Sequence, residues 1–402
     1  MNYSKQLSTN IKFYIFVVWC LLRLVDFTTG YVEYSFLRAA ISIILGILFL
    51  VNIPLLGSTK IYASRILFKY GEYLLVFFCS LFGYSLFISR FLRKANMGET
   101  HIFKESIENT ALYGGWLWNQ YEGVSHFAYH NSPGLFIFVP LVWMFGKYSW
   151  FLISFLQSLS IVLSNYIIGI KSIKSVISYN WALVFFVALF LSMYTQHAKF
   201  IETRFAMLGL ALFIFGLLSN NQKLNIGGFL ICLLFRETVI IPCMLITLFT
   251  YPYPFSKNTK YSIILISTLW CIFTIYLVNE LNPVGIYGNG FNSTGIDLLG
   301  NLHLKFAHLL RLVSMGPLII WSLPGIIGLL TELLFVFLGS HGKFYSLSWH
   351  LWIIPGTIIT MYSIDVLQKK YNQSIDFINH YFKFVSLTLV WQFITTFHPR
   401  LY

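Results

Sequence analysis

Ionisable side chains interrupt apolar stretches at a few positions in this sequence of 402 residues. Arg236 and Glu237 stand side by side in the middle of the apolar run 224–251. A charged side chain at the centre of a membrane helix costs about 2.5–3.5 kcal/mol on insertion scales, so such a group pairs, faces a cavity or marks a boundary. The two residues predict either the apex of a tight helical hairpin or a cavity floor, where Arg236 holds an anion and Glu237 orients it.

A second group of ionisable residues, His197, Lys199, Glu202 and Arg204, surrounds the start of the apolar run 204–218. One helical turn separates Lys199 from Glu202, so a simple local ion pair is one interpretation. A binding function is the other, because the group lies at the outer end of a predicted span.

A long polar interruption, residues 93–133, contains the carboxylates Glu99 and Glu105. The spacing within it predicts a short helix that begins near Thr100, whose side chain would be the N-cap. Glu99 would then precede the helix, where exposed backbone N–H groups favour a carboxylate. A solvated amphipathic helix without further function is the alternative.

His126 and His130 are four residues apart and could share one helix face, as metal ligands do. Their aromatic neighbours and the turn that follows at 131–134 weaken this interpretation. The sequence therefore leaves a divalent metal ion open as a cofactor but assigns no metal ligand.

The composition excludes a water-soluble globular protein. Charged residues make up 10% of the chain and apolar types 57%, with a mean hydropathy of +0.72, whereas soluble domains carry about 25% charged residues. Stretches long enough for a transmembrane helix, about 20 apolar residues, recur along the sequence. The net charge of +13 is distributed in twos and threes between these stretches, which indicates membrane topology and not nucleic-acid binding.

The positions that could do chemistry must therefore be held by membrane helices. Apolar runs occur at 13–29, 36–56, 67–89, 134–146, 150–170, 178–194, 204–218, 224–251, 261–279, 313–338, 350–367 and 382–397. The sequence predicts an all-α polytopic membrane protein of about 11–13 transmembrane helices. Run 134–146 is too short to cross and is predicted to lie in the outer leaflet. Pro317 and Pro324 are predicted to split run 313–338.

Lysine and arginine remain mostly on the cytoplasmic side of a membrane. Their positions predict a cytoplasmic N-terminus and two extracytoplasmic loops, 93–133 and 281–312. We expect a three-span N-terminal region, 1–92, and a membrane domain, 93–402, with no separate soluble domain.

Several of these residues occur in an order that resembles a known family. The motifs are Glu99 to Glu105, Gly114-Gly115, His130-x-Ser132-Pro133, Phe200-Ile201-Glu202, Arg236-Glu237-Thr238 and Tyr345-Ser346 to Pro355. Their order, over about residues 95–370, resembles a bacterial membrane protein family of unknown function that is allied to the GT-C glycosyltransferases. Where that family tends to have Asp, this chain has Glu99 and Glu105.

The resemblance implies a GT-C-like helical bundle, in the inner (cytoplasmic) membrane, that takes a sugar from a polyprenyl-phosphate carrier. An acceptor hydroxyl attacks the anomeric carbon at the extracytoplasmic face and polyprenyl phosphate leaves, which requires a base for the proton and cations for the phosphate. The resemblance implies Glu99 as the catalytic base, with Glu105 second. The implied substrate-binding and phosphate-binding residues are His130, Lys199, Glu202, Arg204, Arg236 and Glu237.

The expected partners are a polyprenyl-phosphate-linked sugar, membrane lipid and an acceptor that is a lipid, glycan or protein. A transporter or flippase of a lipid-linked sugar is the competing interpretation, since intramembrane charge and broken helices also suit transport. Transporters usually show internal repeats and charges near the bilayer midplane. In this sequence no repeat is visible and the charges cluster on one side, which favours the transferase. A membrane scaffold would not need clustered outer carboxylates.

Overall fold

The computed structural model of the chain describes residues 61–92, 99–120, 123–173, 179–193, 199–282, 315–338 and 353–371, and short pieces at 177, 197, 305, 309, 312–313, 377–378, 381–386 and 389–390. The predicted spans 13–29 and 36–56 and most of the predicted loop 281–312 lie outside these residues. Contacts between residues divide the chain into two units, Met1–Phe82 and Gly83–Tyr402. The candidate site lies entirely in the second.

The part of the chain that the structure describes is mostly helical. Its α-helices are α1 Ile61–Leu92, α2 Glu99–Tyr113, α3 Val139–Phe145, α4 Ser149–Tyr166, α5 Tyr179–Ser192, α6 Thr203–Leu218, α7 Gln222–Phe235, α8 Glu237–Phe249, α9 Lys257–Leu281, α10 Leu323–Leu338 and α11 Ile353–Tyr371. A short antiparallel hairpin, β1 Trp118–Asn119 and β2 Val124–Ser125, follows α2, with Trp118 opposite Ser125.

Three helical stretches among the described residues are long and apolar enough to cross a membrane: Gly71–Ser89, Pro133–Lys171 and Lys257–Leu281. Helix α9 leaves large apolar side chains such as Leu265 and Leu269 exposed, as expected of a surface that faces lipid. This architecture is compatible with an all-helical membrane protein. The number of spans and the GT-C-like bundle stay predictions.

The stretch Pro133–Lys171 contains four changes of helix type. A 3-10 helix over Pro133–Phe138 leads into α3, a 3-10 turn at Gly146–Tyr148 leads into α4, and a π-helical turn ends it at Ile167–Lys171. A straight α-helix of the 39 residues in this stretch would measure about 58 Å, at about 1.5 Å per residue. That is nearly twice the hydrocarbon core of a bilayer, about 30 Å, so the stretch as a whole is longer than one straight crossing.

Helices α6 and α7 form a tight antiparallel hairpin. The connection turns at Asn220, which has φ +54°, and the Asn221 side chain caps α7 by accepting a hydrogen bond from the Leu224 N–H. The two backbones approach closely because glycines face each other: a Cβ added to Gly228 would lie 2.3 Å from the backbone nitrogen of Phe213 and 2.4 Å from the carbonyl oxygen of Gly209. The start of α6 and the end of α7 therefore lie next to each other, at the open end of the hairpin.

Two predicted breaks are confirmed. Run 224–251 divides at Arg236, whose extended backbone separates α7 from α8. Run 313–338 divides at Ser322, which separates a 3-10 helix, Pro317–Trp321, from α10. A proline inside a helix lacks an N–H donor and clashes with the preceding turn, so prolines concentrate where helices begin.

Helices α6 to α9 alternate in direction, so their connections fall at two ends of the bundle. At one end Gln222, which starts α7, donates a hydrogen bond to the Thr259 hydroxyl in the first turn of α9. At the other end Asn282, just after α9, donates to the carbonyl oxygen of Ala128. Lys223 and Lys257 belong to the first end, whereas Glu202 and Glu237 belong to the second.

Candidate active site

Glu202 and Arg236 form a buried ion pair at one end of the α6–α7 hairpin. The Nη1 of Arg236 donates a hydrogen bond of 2.5 Å to the Oε1 of Glu202. The Glu202 side chain is 0% exposed and that of Arg236 is 10% exposed. The contact follows from the hairpin, because Glu202 immediately precedes α6 and Arg236 immediately follows α7.

The next residue, Glu237, makes a different contact. It is the first residue of α8, where the positive end of the helix dipole favours a carboxylate. Its Oε1 lies 2.9 Å from the Nδ1 of His130. Because the backbone of Arg236 is extended, with φ −159° and ψ 111°, these neighbouring residues reach partners on two distant segments, at 130 and 202.

The segment that carries His130 is fixed on both sides of that residue. Asn131 donates a hydrogen bond to the Thr274 hydroxyl, and Ser132 donates to the carbonyl oxygen of Phe235. The carbonyl of Ala128 accepts from Asn282. His130 is thereby held against α9 and against the break between α7 and α8.

His126 lies beside His130 and is almost fully buried. Its ring centroid is 5.0 Å from that of Phe103 and 5.6 Å from that of His130. Burial lowers the pKa of His126 to about 3; the charges of His130 and Arg236 act in the same direction, and the Glu237 carboxylate opposes them. His126 is therefore neutral at physiological pH. Neither of its ring nitrogens has a hydrogen-bond partner within the described part of the chain.

Two carboxylate oxygens of the cluster are also buried without a hydrogen-bond partner among the described residues: Oε2 of Glu202 and Oε2 of Glu237. A buried acceptor of this kind costs free energy unless a donor reaches it, so its presence at a site is typical of a position that binds a ligand or water. In the ranges that the structure describes, no group of three His, Cys, Asp or Glu side chains is arranged to hold a metal ion.

The short helix predicted near Thr100 is confirmed as α2, and Glu99 is its first residue and does not precede it. The prediction that Thr100 is its N-cap is wrong, because the helix begins at Glu99. The Thr100 hydroxyl instead accepts a hydrogen bond of 2.9 Å from the backbone N–H of Phe200. The backbone of Glu99 thus lies one residue from a contact with the segment that ends in Glu202; the Glu99 side chain lies outside the described part.

Gln157 of α4 holds the same segment from another side. Its Nε2 donates to the carbonyl oxygen of Lys199, and its Oε1 accepts from the N–H of Ile201, both at 2.8 Å. Its side chain is almost completely buried. Gln157 and Thr100 therefore fix the backbone of residues 199–201, two features that sequence spacing did not reveal.

The two other cations predicted near this segment differ in their surroundings. Arg204 is buried, and its Nη1 donates to the carbonyl oxygen of Lys199, within the same turn. Lys199 itself is partly exposed. Arg204 therefore stabilises the turn that precedes α6, whereas Lys199 is the more exposed residue of the two.

Glu105 binds the β1–β2 hairpin and is not part of the buried cluster. Its Oε1 accepts a hydrogen bond of 3.0 Å from the backbone N–H of Gln120. The neighbouring Asn109 and Asn119 side chains also bind backbone carbonyls, of Trp118 and Ile102. These contacts tie α2 to the hairpin that follows it.

The structure thus brings together His130, Glu202, Arg236 and Glu237 and adds His126 to them. Comparison with protein-family models, with curated proteins and with solved structures found no match to this chain. The roles of the predicted site residues and the family resemblance stay predictions.

Proposed function

We propose that this chain is a membrane glycosyltransferase that moves a sugar from a polyprenyl-phosphate donor to a lipid, glycan or protein acceptor on the extracytoplasmic face. The observation that carries the proposal is the buried cluster of Glu202, Arg236, Glu237 and His130, assembled at one end of a bundle of apolar helices. Hydrophobic helices suit a lipid-linked donor, and the ionisable groups supply what the transfer needs.

Arg236 is the proposed ligand of the leaving phosphate. Its guanidinium is always charged, and its planar donors fit phosphate oxygens. The carboxylate of Glu202 holds the side chain in place at 2.5 Å. Lys199, which is partly exposed, is proposed as a second cation for the phosphate.

A proton acceptor completes the reaction. Glu99 is the base that the resemblance implies, and the contact of Thr100 with Phe200 supports a place for it near the Glu202 segment. Glu105 is less suited, because its carboxylate already accepts a hydrogen bond from the β1–β2 connection.

The proposed location is the inner membrane, with the N-terminus in the cytoplasm and about 11–13 spans. The distribution of charge between the two ends of the bundle supports this orientation. Lys223 and Lys257 are exposed at one end, which the positive-inside rule assigns to the cytoplasm, and the buried cluster lies at the other.

Transfer by the purified protein tests the proposal. The full chain is reconstituted in liposomes with radiolabelled polyprenyl-phosphate sugars and with acceptor lipids, glycans or peptides. Wild type is compared with Glu99→Gln, Arg236→Gln and, as a matched control on an exposed carboxylate, Glu280→Gln. We expect wild type and Glu280→Gln to consume donor equally and Arg236→Gln to have a higher KM for the donor; slow turnover by Glu99→Gln would identify Glu99 as the base.

The same vesicles distinguish the transferase from a transporter. If labelled lipid changes leaflet while the sugar–phosphate bond stays intact for every donor and acceptor, the protein is a transporter or flippase and the proposal fails. If wild type transfers sugar but Glu99→Gln keeps full turnover, the transferase stands and another group is its base.

A further inference from the structure

We infer that the imidazole of His130, oriented by Glu237, is the group that takes the proton from the acceptor hydroxyl. This inference rests on the proposed function and gives the base of that reaction a different identity from the carboxylate that the resemblance implies. It starts from a contact that the structure describes, the 2.9 Å approach of His130 Nδ1 to Glu237 Oε1.

The contact fixes which nitrogen of His130 can accept a proton. An ionised carboxylate can only accept a hydrogen bond, so Nδ1 must carry the hydrogen. In the neutral ring the lone pair is then on Nε2, on the opposite edge. A nucleophile-activating base that is itself oriented by a third group is the arrangement found in acyl-transfer and related enzymes.

The exposed fractions of the His130 and Glu237 side chains agree with the roles of base and orienting group. The His130 side chain is 32% exposed, whereas that of Glu237 is 13% exposed, so the imidazole is accessible and its orienting partner is mostly shielded. The segment around His130 is held by Asn131 and Ser132. A base must be held within hydrogen-bond reach of its substrate, and these anchors restrict its position.

His126 cannot take the same role. It is 2% exposed, and a buried ring of this kind is not accessible to an acceptor hydroxyl. It packs beside His130 as a neutral aromatic ring. Arg236, next to Glu237 in the chain, supplies the positive charge for the phosphate.

The transfer step balances with these groups alone. The acceptor O–H gives its proton to Nε2 of His130 as the oxygen forms a bond to the anomeric carbon. The bond from that carbon to the phosphate oxygen breaks, and its electron pair leaves with polyprenyl phosphate. The resulting imidazolium is stabilised by the Glu237 carboxylate until its proton passes to water.

Chemical rescue of a cavity variant tests the inference. His130→Ala is assayed in liposomes with and without imidazole in the buffer, beside Glu99→Ala with and without formate, and with His101→Ala as a control on an exposed histidine. We expect His130→Ala to lower kcat by about 10²- to 10⁴-fold, the usual contribution of a general base, with little change in the KM for the donor. Imidazole should recover part of that turnover, and His101→Ala should behave as wild type.

Modification of the wild-type protein provides a test that does not depend on the folding of a variant. Diethyl pyrocarbonate acylates accessible imidazoles, and mass spectrometry locates the adducts. We expect the loss of turnover to follow the formation of the adduct on His130. Donor and acceptor together should protect His130 from modification and preserve the turnover.

The outcomes separate the two proposals. No transfer by wild type from any donor removes the proposed function. Transfer by wild type with His130→Ala above half of its kcat overturns the inference alone. So does recovery of Glu99→Ala by formate when imidazole fails to recover His130→Ala, or inactivation by diethyl pyrocarbonate that leaves His130 unmodified.

Discussion

The carboxylate of Glu202 accepts a hydrogen bond of 2.5 Å from Arg236, across 34 residues of sequence. One residue begins the α6–α7 hairpin and the other ends it. The pair is buried, so its two charges stabilise each other in a place where water contributes little.

Removing one partner of this pair should destabilise the protein strongly. Glu202→Gln or Arg236→Gln removes one charge of a buried pair, a change that costs about 3–5 kcal/mol of the free energy of unfolding. The double variant Glu202→Gln, Arg236→Gln should cost less than the sum of the single changes. Denaturant unfolding in detergent measures all three.

A matched control for these variants is Lys369→Gln. Lys369 is 69% exposed and pairs with Asp365 one turn earlier at 2.9 Å. Asp365 is 12% exposed but its lysine partner faces solvent, and a helical pair at this spacing contributes about 0.3–0.5 kcal/mol. Equal losses for Arg236→Gln and Lys369→Gln, or additive losses in the double variant, would contradict a coupled buried pair.

The close approach of α6 and α7 predicts a large difference between two adjacent glycines. In Gly228→Ala the new methyl group meets the backbone of Phe213 and Gly209, and neither can move without separating the helices, so we expect a loss of about 1–3 kcal/mol or more. Gly227→Ala meets nothing within 4 Å and should stabilise by up to about 1 kcal/mol through its higher helix propensity. Thermal unfolding in one detergent compares the two. Similar melting temperatures would mean that the helices are farther apart.

Features of this fold that depend on neighbouring residues could be predicted from the sequence, whereas contacts between distant residues could not. The division at Arg236 could be predicted, because an ionisable pair inside an apolar run favours a helix boundary, and Pro317 and Pro324 act through local backbone geometry. The partner of Arg236 could not be identified, because the contact with Glu202 follows from how closely α6 and α7 pack.

The same distinction explains the site residues that sequence spacing missed. Thr100 was predicted as an N-cap from its local position, yet its hydroxyl accepts from Phe200, 100 residues away. Gln157 lies on an apolar helix and carries no motif, although both ends of its amide bind the backbone of residues 199–201. Long-range hydrogen bonds of this kind leave no periodic signal.

The contact of Thr100 with Phe200 predicts a selective effect on the segment 199–202. Thr100→Val keeps the shape of the side chain but removes the acceptor, so the buried N–H of Phe200 is unsatisfied at a cost of about 1–3 kcal/mol. Thr100→Ser retains a hydroxyl and should cost less. Hydrogen exchange followed by mass spectrometry should show faster exchange at Phe200 in Thr100→Val than in Thr100→Ser. Unchanged protection in both would mean that this contact does not hold the segment.

The buried histidines predict loss of stability in acid. The pKa of His126 and that of His197 are each lowered to about 3, chiefly by burial, so the folded protein keeps both rings neutral. Below a pH of about 6.5 the unfolded chain takes up protons that the folded chain does not, and each histidine then removes about 1.4 kcal/mol per pH unit. The contribution of the two neutral histidines to stability is therefore fully present above a pH of about 6.5 and is lost as the pH falls from about 6.5 towards 3.

Unfolding at pH 7.5 and at pH 5.5 measures this effect. His126→Leu removes one titrating group and should flatten the dependence on pH by about 1.4 kcal/mol over that interval. Gly227→Ala, which changes no titrating group and meets nothing within 4 Å, should retain the wild-type dependence. An unchanged pH dependence in His126→Leu would show that the ring is protonated in the folded protein.

Glu99 and Lys257 lie near opposite ends of the helix bundle, so we expect labels at these two positions to be on opposite sides of the membrane. The hydrogen bond of Gln222 with Thr259 places the starts of α7 and α9 together, far along the helices from Asn282, which binds Ala128 near the ionisable cluster. Lys257 starts α9 and should be cytoplasmic by the positive-inside rule. Glu99, next to the Thr100 contact with the Glu202 segment, should be extracytoplasmic.

Glu99→Cys and Lys257→Cys, each in a chain whose native cysteines are replaced by serine or alanine, are treated with a membrane-impermeant maleimide on intact spheroplasts. We expect Glu99→Cys to react at once, and Lys257→Cys to react only after the membrane is permeabilised. Reaction of both from the outside would place the start of α9 and the α2 segment on one side and would overturn the predicted topology. If Glu99→Cys reacts only after permeabilisation, the ionisable cluster loses its extracytoplasmic location, and with it the access to a carrier-linked sugar that the proposed transfer requires.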